Sequence, residues 1–196
     1  MADAAPALFR FDYNSPYAYL AASRVDAMLG ADRVRWEPIA FAFLLIAQRR
    51  EPWSFHEPTR SAGRRECERR AETYGLPPMV WPPGWPKESY TLTPLRAAFV
   101  AEREGLLREF SAAAFARNFV AGTGLRDDEA VLDVCEEIGL DRADVRAALG
   151  GWAKERLREA TDAAIAEGVP GVPTVTVAGE HFWGDDRLED AARRVG

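Results

Sequence analysis

Strand patterns occur only at the two ends of this chain, and about 125 residues of helical pattern lie between them. A strand must pair to satisfy its backbone groups. The two ends should form one sheet, with the middle inserted between them. At the front, Ala7–Tyr13 (ALFRFDY) places Leu8, Phe9 and Phe11 among polar residues and reads as a strand. Asn14-Ser15-Pro16 interrupts it, with Ser15 a favoured N-cap and Pro16 suited to a first helical turn. Apolar positions from Tyr17 to Leu29 recur at helical spacing, and Gly30 ends the run. Val34–Ile39 is a second strand. A β-α-β unit of this kind calls for parallel strands joined by a right-handed crossover.

From Phe41 to about Ala166 the periodicity is helical: Phe41–Arg50, Pro58–Tyr74, Thr93–Glu104, Leu107–Val120, Asp127–Ile138, Arg142–Leu149 and Trp152–Ala166. The exception is Pro77–Pro86 (PPMVWPPGWP), whose five prolines forbid a helix and predict a stiff extended loop. That loop is either a packed connector or, through Trp81 and Trp85, a wall over a pocket. The end of the chain returns to β structure. Val172–Val177 is rich in β-branched residues, Ala178-Gly179-Glu180 reads as a tight turn, and His181-Phe182-Trp183 pairs back as a hairpin. Asp185-Asp186 opens a last helix to Val195, and Glu189, three residues after Asp186, suggests carboxylate capping.

The order β-α-β, helical block, β-β-α is an α/β architecture: a thioredoxin-like fold with a large all-helical insertion. Residues 1–40 and 167–196 form a discontinuous thioredoxin-like domain, and 41–166 the inserted helical domain. Composition narrows the function. The formal charge is −6 with a pI of about 5.1, the opposite balance from a general nucleic-acid binder. The 25 basic residues include only two lysines, Lys87 and Lys154. Cys67 and Cys135 stand 68 positions apart, so neither a disulfide scaffold nor a C-x-x-C dithiol is expected. No window approaches a membrane span, and Met1–Leu8 lacks the basic start and apolar run of a signal peptide, so a cytoplasmic location is the expectation. His56 and His181 are too few and too far apart in sequence to suggest a metal site.

Two segments carry a family resemblance. Phe11-Asp12-Tyr13-Asn14-Ser15-Pro16-Tyr17-Ala18-Tyr19-Leu20 resembles the opening of 2-hydroxychromene-2-carboxylate isomerases and kappa-class glutathione transferases. Gly171-Val172-Pro173-Thr174, followed by Phe182-Trp183-Gly184-Asp185-Asp186-Arg187-Leu188, is similar to that family's closing pattern. Ala71–Pro77 (AETYGLP) matches within the insertion, so the resemblance covers the whole chain. Where the wider DsbA-like group has C-P-x-C, this chain has Ser15-Pro16-Tyr17-Ala18. Both redox sulfurs are missing, which argues against disulfide exchange.

The resemblance implies a thiol brought in as glutathione, with Ser15 as the catalytic residue donating a hydrogen bond to its sulfur. The start of the following helix adds a further pull toward thiolate. It implies a cis Pro173, with the backbone of Val172 pairing with glutathione as an added strand, and Asp185 and Asp186 holding the γ-glutamyl amino group. Trp183 is expected to pack. Tyr17, Trp81, Trp85 and Arg96 are candidate substrate contacts, and Arg60 and Arg64 share with Arg96 the candidacy for a substrate carboxylate. The activity implied is glutathione-dependent cis-trans isomerisation of 2-hydroxychromene-2-carboxylate or a related aromatic-degradation intermediate. A kappa-like transferase and a non-catalytic DsbA-like binding module are the alternatives. The resemblance also implies a homodimer. The chain departs from the family pattern at Thr59–Arg65 (TRSAGRR), where relatives carry a Lys and a Tyr, and at Leu92, where many have Asn.

Overall fold

The computed structural model describes residues 5–196. Residues 1–4, where the reading for a signal peptide begins, lie outside the described residues. The strands are β1 (Ala7–Phe11), β2 (Val34–Pro38), β3 (Thr174–Val177) and β4 (Glu180–Trp183), in the order β2-β1-β3-β4. β1 pairs parallel with β2, Ala7 opposite Val34, and antiparallel with β3, Phe9 opposite Val175. β3 and β4 form the expected hairpin, turned by Ala178 and Gly179, both at positive φ. The two ends of the chain thus close one mixed sheet of the thioredoxin type.

Among the described residues ten α-helices surround it: α1 (Pro16–Ala22), α2 (Val25–Leu29), α3 (Phe41–Ala47), α4 (Thr59–Thr73), α5 (Thr93–Arg103), α6 (Leu107–Phe119), α7 (Asp128–Glu137), α8 (Arg142–Leu149), α9 (Trp152–Ala166) and α10 (Leu188–Val195). Seven of them, α3 to α9, come from the segment between β2 and β3. One apolar core runs through both parts. Phe9 and Phe11 stack at 5.3 Å, meet Trp36 edge-on, and continue through Tyr13 to Phe110 and Phe115 of α6. Arg10, between those phenylalanines, is 1% exposed and is held by Glu37 at 3.0 Å and Glu167 at 2.7 Å. Without both carboxylates its burial would be prohibitive.

Three expectations need correction. The single helix Tyr17–Leu29 is two helices. Ser23 turns its hydroxyl onto the Leu20 carbonyl, a local bond that competes with helix continuation, and Arg24 leaves helical geometry to lie over the Tyr74 ring and pair with Glu189. The proline loop is extended only in its first half; from Pro83 to Ser89 it winds into turns. No carboxylate caps α10: Asp185–Arg187 is a 3-10 turn, Arg187 is the N-cap residue, and Glu189 is engaged with Arg24.

No helix among the described residues is long and apolar enough to cross a membrane. Both cysteines are free and buried, and burial pushes each thiol up to about 12, so neither supplies a thiolate at neutral pH.

Candidate active site

The main cleft has a volume of about 760 Å³, within the range of a small-molecule site. It opens where the β1–α1 loop meets the loop before β3, and the insertion supplies its far side. Ser15 lies on its floor. Its extended backbone makes it the N-cap of α1, and its Oγ accepts from the Ala18 N–H at 3.2 Å. A hydroxyl has one proton and two lone pairs. Capping uses a lone pair, and the proton has no acceptor among the described residues. Capping and donation to a ligand are therefore compatible.

The Val172–Pro173 peptide is cis, as expected, and both residues line the cleft. Among the described residues no protein group pairs with the N–H or C=O of Val172. Pro173 C=O instead accepts from the Gly184 N–H at 3.0 Å, which ties the loop to the turn after β4. Trp183 covers Gly171, where a Cβ would come within 2.6 Å of the indole, but contrary to expectation it is not packed away: it is 45% exposed and lines the cleft.

The two acidic residues differ. Asp185 is 1% exposed; it accepts from Arg70 at 2.8 Å and from the Tyr74 hydroxyl at 3.0 Å. Burial raises its carboxyl while both donors pull it down. Its charge is already balanced by Arg70. Asp186 is largely exposed, with Arg70 no closer than 3.6 Å, and remains open to a cationic ligand. Arg70 and Tyr74, on or just beyond α4, were not singled out in the sequence. The only signal was that Tyr74 falls within the AETYGLP segment.

Asp12 also lines the cleft. It accepts from the N–H groups of Asn14 and Phe41 at 2.9 and 3.0 Å and from the Tyr90 hydroxyl at 3.2 Å. Burial outweighs these donors and raises its carboxyl to about 6. Asn14 is a second tie. Its amide donates to Pro86 C=O and accepts from Ser89, and its own C=O accepts from the Trp85 indole, at 2.8 to 3.0 Å.

Of the four candidate substrate contacts, Tyr17 and Trp85 line the cleft and Trp81 and Arg96 do not. Trp81 stands behind Trp85 at 4.6 Å, its indole bonded to Glu68 and its face covered by Arg64. Arg96 reaches back to Leu149 C=O at the end of α8. Arg60 and Arg64 also lie outside the lining: Arg60 pairs with Glu57, while Arg64 sits on Trp81. In their place the cleft presents Trp53, Phe55, Arg50 and Lys87. Trp53 bridges Tyr17 and Trp85 at centroid distances of 5.8 and 5.7 Å. Its ring lies on Gly63 of α4 so closely that a Cβ would come within 2.1 Å. Among the described residues no cluster of His, Cys, Asp and Glu side chains is suited to hold a metal ion.

Fold and cleft together define a class: a thioredoxin-fold protein with a helical insertion and a serine, Ser15, capping its first helix at the floor of the cleft. Residues 8–196 match the DSBA-like thioredoxin domain model. A 2-hydroxychromene-2-carboxylate isomerase of Pseudomonas putida is 32% identical over 92% of this chain and 89% of its own length. One of Sphingobium xenophagum is 28% identical, covering 92% and 93%. A solved 2-hydroxychromene-2-carboxylate isomerase superposes with a TM-score of 0.83 at 28% identity, over 96% of this chain and 95% of the other. A probable DsbA oxidoreductase of Streptomyces coelicolor shares the fold at a TM-score of 0.73 and 18% identity, over 97% and 89%. The chain belongs to the DSBA-like thioredoxin domain family and, within it, groups with the 2-hydroxychromene-2-carboxylate isomerases.

Proposed function

We propose that this protein is a glutathione-dependent isomerase acting on 2-hydroxychromene-2-carboxylate or a closely related product of aromatic-ring cleavage. The observation that carries the reading is Ser15. It caps the first helix on the cleft floor with its proton unclaimed, and the cleft also holds a cis-proline loop whose Val172 backbone is unpaired among the described residues. Glutathione would lie along Val172, its sulfur at Ser15 and its amino group at Asp186. A donor aimed at the sulfur favours thiolate over thiol, and the thiolate is the nucleophile.

The chemistry follows. The hemiketal ring of the substrate first opens: its ring C–O bond breaks, the phenol oxygen takes up the proton that the 2-hydroxyl gives up, and a keto carbonyl conjugated to the double bond is formed. The thiolate then adds to the far carbon of that double bond, and the electron pair moves onto the carbonyl oxygen. The former double bond is now single and rotates. The electron pair then returns and expels the thiolate, so glutathione is recovered unchanged. A covalent adduct thereby divides one high-barrier rotation into lower steps. The aromatic side of the cleft, Trp53, Phe55 and Trp85, offers flat apolar surface to the substrate ring.

The test is glutathione binding by calorimetry on wild type and Ser15→Ala, with the thiolate followed by ultraviolet absorbance and turnover on the chromene carboxylate. Loss of a single donor to a developing anion costs roughly 100-fold in rate, whereas loss of a cap costs about 1 kcal/mol of stability. Ser15→Ala is therefore expected to stay folded, lose the thiolate signal and lose turnover. Unchanged turnover in that variant would sink the mechanism. Accumulation of a conjugate, instead of the return of free glutathione, would make the protein a transferase. An absence of both binding and turnover would leave a binding module.

A further inference from the structure

Three cations line the cleft, Arg50, Arg70 and Lys87, and they are not equivalent. Arg70 is neutralised by Glu66 and Asp185. Arg50 donates only to neutral oxygens, Gln48 Oε1 at 2.8 Å and Pro170 C=O at 2.7 Å, and lies over the Trp183 ring. Lys87 holds its ammonium 4.3 Å from the centre of the Phe55 ring. Neither Arg50 nor Lys87 forms an ion pair among the described residues. Glu51, an acid of the lining that follows Arg50 in sequence, is bonded to His56 at 2.7 Å. The buried Asp12 is enclosed by its own three donors.

The two unpaired charges belong to different surroundings. Arg50 touches the loop and hairpin that present Val172, where a peptide-like thiol would lie. Lys87 follows the Trp85–Pro86 pair and rests on Phe55, amid flat apolar surface suited to an aromatic ring. An ammonium on an aromatic face keeps its stem ordered and its outer side free for an anion. Resting on the two-ligand reading above, we propose that the cleft sorts two carboxylates: Lys87 receives the carboxylate of the aromatic substrate, and Arg50 receives a carboxylate of the thiol. Lys87 thus takes the role that the sequence reading offered to Arg60, Arg64 or Arg96.

The test compares trans-2-hydroxycinnamate with 2-hydroxycinnamamide, isosteric probes with and without the charge. Binding is read by quenching of tryptophan fluorescence, since Trp53 and Trp85 line the same wall, and glutathione is titrated separately by calorimetry. A solvent-accessible charge-assisted contact corresponds to a preference of about five- to ten-fold for the acid in wild type. Lys87→Gln is expected to bring the two probes to equal affinity with glutathione affinity unchanged, and Lys87→Arg to retain the preference. Arg50→Gln is expected to weaken glutathione by a similar factor and leave the acid-to-amide ratio intact. A preference that survives Lys87→Gln, or one that Arg50→Gln abolishes, overturns the assignment, as does a wild type that does not distinguish the probes. A wild type that binds no glutathione overturns the thiol reading and Arg50's part in it, whereas the acid-to-amide ratio and its response to Lys87→Gln still decide the substrate subsite on their own.

Discussion

The two walls of the cleft are made differently. The sheet-side wall, Ser15, Val172, Pro173 and Asp186, is built from backbone devices: an N-cap, a cis-proline loop and a turn after a hairpin. The insertion-side wall, Trp53, Phe55, Trp85 and Lys87, is built from side chains that find one another across long stretches of chain. The first kind of wall is set by local conformation and suits a constant task such as holding a thiol. The second is set by packing and can be reshaped without disturbing the sheet.

Polar seams join the walls, and breaking two of them is the severest test of this division. Arg70→Ala leaves Asp185 buried with Tyr74 as its one remaining side-chain donor. Removing one partner of a buried pair costs about 3–5 kcal/mol. The lower end is expected because Arg70 is itself partly exposed. Urea denaturation of this variant should show the loss, and a change below 1 kcal/mol would mean that Asp185 does not need its cation.

The second seam is Asp12, and it predicts a pH dependence. Its folded carboxyl titrates near 6, above the usual carboxylate value near 4, so the folded state holds the proton more tightly than the unfolded one. Its contribution is therefore fully present below about pH 4 and is lost as pH rises through about 6, on the order of 2–3 kcal/mol. In Asp12→Asn the difference in unfolding free energy between pH 4 and pH 7 should shift by that amount. An identical pH profile in both proteins would refute the assignment.

The smallest effects sharpen the comparison most. Gly63 and Gly171 each lie under a tryptophan, Trp53 on one wall and Trp183 on the other. An added methyl displaces the ring at a cost of about 1–3 kcal/mol. At Gly63, in mid-helix, better helix propensity offsets up to about 1 kcal/mol of it. Gly63→Ala is expected to weaken aromatic probes while glutathione binding persists, and Gly171→Ala to do the reverse. Equal effects of both variants on both ligands, measured by calorimetry, would show that the walls are not independent.

How far each wall could be read in the sequence follows the same line. Ser15, Pro16 and the hairpin announce themselves because caps, prolines and alternation are local signals, whereas the parts given to Val172 and a cis Pro173 came only through the family resemblance. That one sheet joins the two ends was legible from strand patterns confined to them, whereas the strand order, β2-β1-β3-β4, was not. Arg70 and Tyr74 escaped because their partner lies more than a hundred residues away, and a charged helix face looks solvated until something buries it. Among the tryptophans, periodicity has nothing to say about which ring lines a cavity: Trp81 and Trp85 share one proline-rich segment, yet only Trp85 lines the cleft. Arg96, Arg60 and Arg64 failed as carboxylate partners for the same reason, since each found an internal partner first. The break between α1 and α2 was hidden because the apolar spacing passes through Ser23 and Arg24 without interruption.

Asn14 sits directly before the serine and commits its side-chain amide and its backbone carbonyl to residues 85–89. The two walls therefore share a hinge pin one residue from Ser15, the proposed seat of the sulfur. Any remodelling that shifts residues 85–89 to admit a bulkier ring also tilts Ser15. Residues 53–55 have no such tie to the β1–α1 turn through Asn14. Altered substrate range is accordingly easiest to reach by substitution at Trp53 or Phe55, and hardest to reach through the segment that begins at Trp85.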